Sequence, residues 1–425
     1  MVQAVSPNLT DLGRFNRHGG YKILPAPLPL VYRSAGKGDV GKTVQDDTRG
    51  QSELYTSKEL SELLGYAPAQ RSEETLTHNT NNAVTAGIWR IRAGSLCAVL
   101  KVVSPPGVRA TSEEWNSSED PSHWNYWERE VLAYERGVTS VYSAAGVSGP
   151  RLLALNRRPN GEVSLWLEDA LSEDGSVAGT RWRMESYRRF AHALGLAQGR
   201  IAAGSALDHP WLTRRFLRDY VLSKHVDRSI LYSDEAWRRP LVRDNFPDGL
   251  RRELIRLHEE REWFFTLMER LPRTVCHLDV WPNNLFARRD GTFTLVDWSF
   301  VGEGALGEDV GNLVPDSVFD LFVPAQNLAD LDREVFGGYL SGLREAGWDG
   351  DERMVRLGMC ASAVKYEWLG PLMLQRASNA SQPGYGGRES ADAERLYAER
   401  GIALTFLASW AEEARALVEE LGTSF

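Results

Sequence analysis

Cysteine is scarce in this chain. Cys97, Cys276 and Cys360 stand far apart, are odd in number and form no C-x-x-C pair, so neither a disulfide framework nor a structural zinc site is indicated. Long apolar runs are missing as well. No stretch approaches the ~18 residues that a membrane-spanning helix needs, and the N-terminal MVQAVSPNLTDLGRFNRHGG lacks the basic-then-apolar order of a signal peptide. Nor is there a surplus of positive charge. Forty-nine Lys plus Arg against 58 Asp plus Glu leave a net charge of −9, which excludes non-specific attraction to nucleic acid or anionic lipid as the basis of function. No internal repeat or low-complexity tract occurs, so solenoids and collagen-like arrays are out. These absences lead to the expectation of a cytoplasmic protein whose partners are neither nucleic acid nor membrane.

What is present is a globular balance, 42% hydrophobic and 25% charged over 425 residues, with enough apolar material for two lobes. Residues 1–74 form an N-terminal extension of unassigned role, expected to pack on a small lobe; the SKELSELLGY segment within it reads as a helix capped by Ser57. Short β-type runs follow at ETLTHN, GIWRIRAG and LCAVLKVV, then RLLALNRR and EVSLWLED around a turn at Pro159-Asn160-Gly161. One helix, HWNYWEREVLAYERG, interrupts them and ends at Gly137. The spacing therefore predicts an α+β chain: a five-stranded antiparallel sheet with one helix over 75–169, then an α-helical lobe over 170–425. Within that lobe the stretch from Arg273 to Phe300 breaks the helical pattern and reads as a loop and a hairpin turned at Asp290-Gly291.

That interruption holds the chemistry. His277-Leu278-Asp279-Val280-Trp281-Pro282-Asn283-Asn284, followed by Leu295-Val296-Asp297-Trp298, sets two acids and an amide on a loop and the strand after it. Phosphoryl transfer needs a carboxylate to orient an acceptor hydroxyl and take its proton, and hard oxygen ligands to hold Mg²⁺ on a triphosphate. Asp279, Asp297 and Asn284 can fill these roles, and the offset of five residues from Asp279 to Asn284 matches a kinase catalytic loop.

The segment resembles the H-x-D-x-x-x-x-N and following I-D-W motifs of the aminoglycoside phosphotransferase and choline kinase superfamily. The resemblance runs from about Thr75 to Phe425 and implies a bilobal protein-kinase-like fold with ATP and Mg²⁺ between the lobes. It implies that Lys101, ending LCAVLK, contacts the phosphates and pairs with Glu130. Glu130 shares its helix with Glu128 and Glu135, which occupy other faces. It further implies that Leu167, Glu168 and Asp169 form the hinge that bonds adenine through backbone groups, that Asp279 is the catalytic acid-base, that Asn284 and Asp297 hold the metal, and that His277 and Asp309 support the loop. Leu278 stands where the family usually has Gly and Trp281 where it often has His. The nucleotide-covering loop, HNTNNAVTAG over 78–87, has one Gly.

The acceptor implied is a hydroxyl of a polar small molecule. A Ser or Thr of a peptide is the alternative, and a catalytically silent nucleotide-binding scaffold is a third. Gly36-Lys37-Gly38-Asp39-Val40-Gly41-Lys42-Thr43 also satisfies the P-loop pattern, but VQDDTRGQSELY after it is polar and Gly-broken, without an apolar stripe, so a polar loop is expected there. Trp115, Trp124 and Trp127 read as lobe packing, with ligand stacking as the other possibility.

Overall fold

The structure is a computed structural model that describes residues 42–108, 113–171, 176–204, 209–379, 382 and 392–422, with side chains from residue 53. The chain divides into two compact units, Met1–Leu54 and Tyr55–Phe425. Of the first unit only the start of a helix, Lys42–Leu64, is described. This corrects two expectations. The helix begins fifteen residues before Ser57, which lies inside it with its carbonyl accepting from Ser61 Oγ at 2.8 Å. Gly50, which argued for a break, is helical; one interior Gly costs a helix only about 1 kcal/mol, which tertiary packing readily overrides. Residues 36–41 of the P-loop-like string lie outside the described residues.

The strands are β1 (Ser72–Thr75), β2 (Thr85–Ala93), β3 (Leu96–Val103), β4 (Val147–Ser148), β5 (Leu152–Arg157), β6 (Val163–Glu168), β7 (Val177–Ala178), β8 (Arg273–Cys276), β9 (Leu285–Ala287), β10 (Phe293–Leu295) and β11 (Gly302–Ala305). Five of them form an antiparallel sheet in the order β1-β2-β3-β6-β5. The first lies at 72–75 where the composition pointed to 74–79: Leu76 N–H makes a last bond to the Ile88 carbonyl at 2.8 Å, and the residues after it form the loop before β2. Gly94, at φ +58°, turns β2 into β3 as the Ala-Gly-Ser signal requires.

Period-two alternation sorts β3 into two faces. Ala98, Leu100 and Val102 pack with Ile91, Trp166 and Leu60 of the helix above. Val103, with Val99 beside it, packs with Val131 and Tyr134 of the helix Arg129–Glu135. Lys101 has the same parity as Val99 and Val103, so it is delivered to the face that carries that helix. The helix itself is shorter than HWNYWEREVLAYERG suggested. Upstream, the backbone carbonyls of Pro121, His123 and Trp124 turn to the buried Arg129 guanidinium, at 3.1, 2.6 and 2.7 Å, instead of continuing an i→i−4 ladder.

Below the sheet lies the helical lobe, with β8–β11 inserted among its helices. The helices Met184–Ala203 and Leu328–Glu345 cross without side chains between them: a Cβ on Gly195 would lie 2.1 Å from the Tyr339 carbonyl oxygen, and one on Gly342 2.0 Å from that of His192. This close approach brings Gln198 and Tyr339 into one buried polar network behind the Asp279 loop.

The upper helix is fastened by a buried ion pair. Arg158 Nε and Nη2 meet Glu59 at 2.7 and 3.0 Å, and Trp166 Nε1 donates to the same carboxylate at 3.0 Å. Removing one partner strands a buried charge, which costs about 3 kcal/mol or more. Glu59→Ala should accordingly lower the thermal midpoint clearly, and the double variant Glu59→Leu/Arg158→Leu should recover much of the loss in thermal unfolding.

Candidate active site

A cleft of about 570 Å³ separates the sheet from the helical lobe, and Lys101, Glu130, Asp279, Asn284 and Asp297 all line it. The structure thus gathers residues 196 positions apart onto facing walls. Lys101 Nζ lies 2.5 Å from Glu130 Oε2 and 2.8 Å from Asp297 Oδ1. Of the three acids on that helix, Glu130 is the one turned to Lys101; Glu128 and Glu135 bond Arg157 on the outer side. Burial lowers the Lys101 pKa, but the Asp297 and Glu130 charges outweigh it and hold the ammonium above its ordinary range. Burial drives Glu130 up, partly countered by Lys101. Asp297 is pushed up by burial too, yet Lys101 beside it and Ser299 Oγ, which donates to Oδ1, keep it below the usual carboxylate range.

Asp279 behaves oppositely. Burial and then the Asp297 charge push its pKa up to about 7, against the pull of Lys365 and the Asn284 amide. Asn284 Nδ2 donates to Asp279 Oδ2 at 2.8 Å and to its carbonyl at 3.0 Å. With its nitrogen so used, the amide oxygen is the atom Asn284 can offer to a metal. Among the described residues no cluster of three or more His, Cys, Asp or Glu could hold a metal unaided. A two-residue oxygen site, completed by phosphate and water, is the arrangement that suits Mg²⁺.

Two residues of the site hold left-handed backbone without being Gly: Leu278 at φ +66° and Asp297 at φ +63°. Each costs on the order of 1 kcal/mol or more. Asp309 offsets this at the loop. Its Oδ2 accepts the His277 N–H at 2.9 Å and its Oδ1 the Leu278 N–H at 2.7 Å. Gln198 Nε2 donates to Oδ2 at 2.7 Å while Tyr339 donates to Gln198 Oε1 at 2.6 Å. Leu278 compensates for the Gly it replaces by burying its side chain completely against Trp124, Phe216 and Phe300. His277 accepts the Asp279 N–H at Nδ1, 3.3 Å, so Nε2 carries the proton and donates to the Val296 carbonyl at 3.1 Å. Burial holds its pKa down to about 4.

Leu167, Glu168 and Asp169, the residues expected to form the hinge, also line the cleft. The Glu168 N–H already donates to the Arg151 carbonyl at 2.9 Å. The Asp169 carboxylate is bound to Arg90 of β2, Nε to Oδ2 at 2.6 Å, and caps the Leu171 N–H at 3.1 Å. In the covering loop, the N–H groups of Asn81 to Val84 all donate within the small lobe: to Asn79 twice, to Trp115 and to Asn82 Oδ1.

Sequence reasoning passed over several residues. Gln198 and Tyr339 looked like ordinary helix positions. Trp115 and Trp124, read as packing, form with Tyr220 and Trp368 a box around the Lys224 ammonium, with ring centroids at 3.8, 5.7, 3.9 and 5.8 Å. Glu114 lies 3.7 Å away, and burial brings the Lys224 pKa down to about 7. One signal was available. Only seven lysines occur among the 49 basic residues, and the three beyond Lys58, namely Lys101, Lys224 and Lys365, are all buried.

Two outcomes follow. The His277 imidazole should stay neutral from pH 5 to 8, its NMR ring signals flat across that range. With a folded pKa of about 4 against 6.5, the unfolded chain takes this proton first, so the His277 contribution to stability is complete above pH 6.5 and declines toward pH 4. Asp309→Ala leaves three buried donors, the His277 and Leu278 N–H groups and the Gln198 amide, without this acceptor, a loss of roughly 3 kcal/mol or more, which thermal unfolding measures; Asp309→Asn should recover only part, because its amide keeps a single acceptor oxygen.

The comparisons with known proteins enter on this geometry. Among curated proteins none matches the chain. Solved structures of similar chain trace include amicoumacin kinase hAmiN in complex with AMP-PNP, Ca²⁺ and Ami, at 11% identity, TM-score 0.47, covering 79% of this chain and 88% of that one. Choline kinase LicA from Streptococcus pneumoniae follows at 13% identity and TM-score 0.44, with 84% and 99% covered. Aminoglycoside phosphotransferase APH(3'')-Id from Streptomyces rimosus stands at 17% identity and TM-score 0.38, with 71% and 92% covered. These likenesses say nothing of substrate. The model of the APH phosphotransferase enzyme family, by contrast, matches residues 108–350, more than half of the sequence and the whole Asp279–Asp297 segment, and the chain belongs to that family.

Proposed function

We propose that this protein transfers the γ-phosphate of ATP, with Mg²⁺, to a hydroxyl group of a polar small molecule. The observation that carries the reading is the convergence of Lys101, Asp279, Asn284 and Asp297 on one cleft. Ile88 and Val99 above and Phe286 and Val296 below offer apolar faces for a purine, beside the hinge backbone. Lys101, aimed by Glu130, meets the α and β phosphates. Asn284 Oδ1 and the Asp297 carboxylate would hold the metal, and the surplus of buried carboxylates over ammonium in this cluster suits a divalent cation. Bound there, Mg²⁺ would neutralise charge building on the phosphate oxygens.

Asp279 orients the acceptor hydroxyl and takes its proton as the new O–P bond forms and ADP leaves. A pKa near 7 suits a general base at physiological pH, and the Asn284 amide fixes which carboxylate oxygen faces the acceptor. No covalent enzyme intermediate is required.

Thermal melts with ATP are the first check: at a hundredfold excess over Kd, Mg²⁺-dependent stabilisation should approach ~2.7 kcal/mol. Asp279→Asn should keep that shift and lower turnover about 10²–10⁴-fold, whereas Asp297→Ala should lose both. A chain that binds no nucleoside triphosphate with Mg²⁺, or an Asp279→Asn variant with undiminished transfer, would show the roles to be misassigned.

A further inference from the structure

Past Asp279 the cleft continues into a smaller compartment of about 80 Å³, walled among others by Tyr220, Trp281, Asp316, Lys365, Tyr366 and Trp368. None of Lys101, Asn284 and Asp297 lines it, so it lies on the acceptor side of Asp279. Among the described residues five cations are almost fully buried: Lys101, Arg129, Arg158, Lys224 and Lys365. Four are accounted for, Lys101 and Arg158 by carboxylates, Arg129 by backbone carbonyls, and Lys224 by its aromatic box and Glu114.

Lys365 is different. It is 5% exposed, lines the compartment, and has the rings of Tyr220 and Tyr366 beside it, their centroids 5.7 and 5.8 Å from Nζ. No hydrogen bond or ion pair to a described residue ties the ammonium. Asp279, Glu308, Asp309 and Asp316 feel its charge without an ion pair to it, and Asp320 and Arg400, also in the wall, face each other at 4.0 Å. A buried side chain whose ammonium opens onto a cavity must take its oxygens from what fills that cavity, water or a ligand. The chain takes nearly all its basic residues as Arg, yet uses here the compact point charge that a single oxyanion prefers.

We propose that the acceptor carries an oxyanion, a carboxylate or phosphate group, which docks on Lys365 while its hydroxyl faces Asp279. This inference rests on the phosphotransfer reading of the cleft, and it makes the acceptor a hydroxy acid or a phosphorylated alcohol rather than a purely cationic one.

The test uses the full chain and inorganic phosphate as the probe. Thermal unfolding is followed against added phosphate, at ionic strength balanced with chloride, with and without saturating Mg²⁺ and a non-hydrolysable ATP analogue. Stabilisation by phosphate should saturate and persist with the analogue bound. Lys365→Met should weaken it about tenfold or more, as expected for loss of a charge-assisted contact, while Lys365→Arg should largely retain it. Lys365→Gln serves if the Met variant does not fold, as judged by circular dichroism. An equal phosphate response in wild type and the neutral variants, or none in wild type, overturns the proposal. So does a Lys365→Met variant that loses affinity for the analogue instead, since Lys365 would then serve the donor's γ-phosphate. Should the analogue fail to bind at all, the phosphotransfer reading falls separately, and phosphate titration of the free protein with the same variants still decides the anion site.

Discussion

The buried ammonium of Lys101, held between Glu130 and Asp297, is the contact on which the arrangement of the cleft depends. It joins three elements that are distant in sequence: the β3 strand, the helix Arg129–Glu135 and the turn after β10. An ion pair at such burial contributes little net stability, because desolvation offsets the Coulombic gain. Its effect is instead on geometry, since misplacing any of the three elements would strand a charge. Arg129, the residue before Glu130, fixes the helix from the other side by gathering the carbonyls of Pro121, His123, Trp124, Trp211 and Ser299.

The floor of the cleft rests on a second constraint, the Asp309 carboxylate beneath the loop. Two consecutive N–H groups converge on it only because Leu278 takes a left-handed conformation. The strain of a side chain there is balanced by its full burial and by a satisfied network running through Gln198 to Tyr339. The helix pair that carries those two residues can supply them only because glycines let its backbones touch. Packing far from the cleft thereby sets the position of Asp279.

Around this frame the buried lysines divide the work. Lys101 is matched by carboxylates and Lys224 by aromatic faces, whereas Lys365 stands in the cavity wall with no hydrogen bond or ion pair to another described residue. The Lys224 box also joins the small-lobe segment Glu113–Trp115 to Tyr220 and Trp368 of the helical lobe, so the compartment beside Asp279 and the loop before β2, whose Ala83 N–H donates to the Trp115 carbonyl, share a support.

Much of this was legible in the sequence. The family resemblance singled out Lys101 at the end of LCAVLK, the Gly94 and Gly291 turns set both hairpins, and the spacing from His277 to Asn284 put Asp279 and Asn284 on one loop. Local chemistry determines such features, because backbone geometry and side-chain period act over a few residues. The start of the first helix at Lys42 was not legible, since a polar, Gly-containing segment carries no stripe to reveal it. Nor were the choice of Glu130 over its helical neighbours, the left-handed Leu278, the Arg90–Asp169 bond at the hinge or the solitary burial of Lys365. Each of these depends on which distant groups share a low-dielectric interior, where a charge must find a partner or wait for one, and only the tertiary structure decides that.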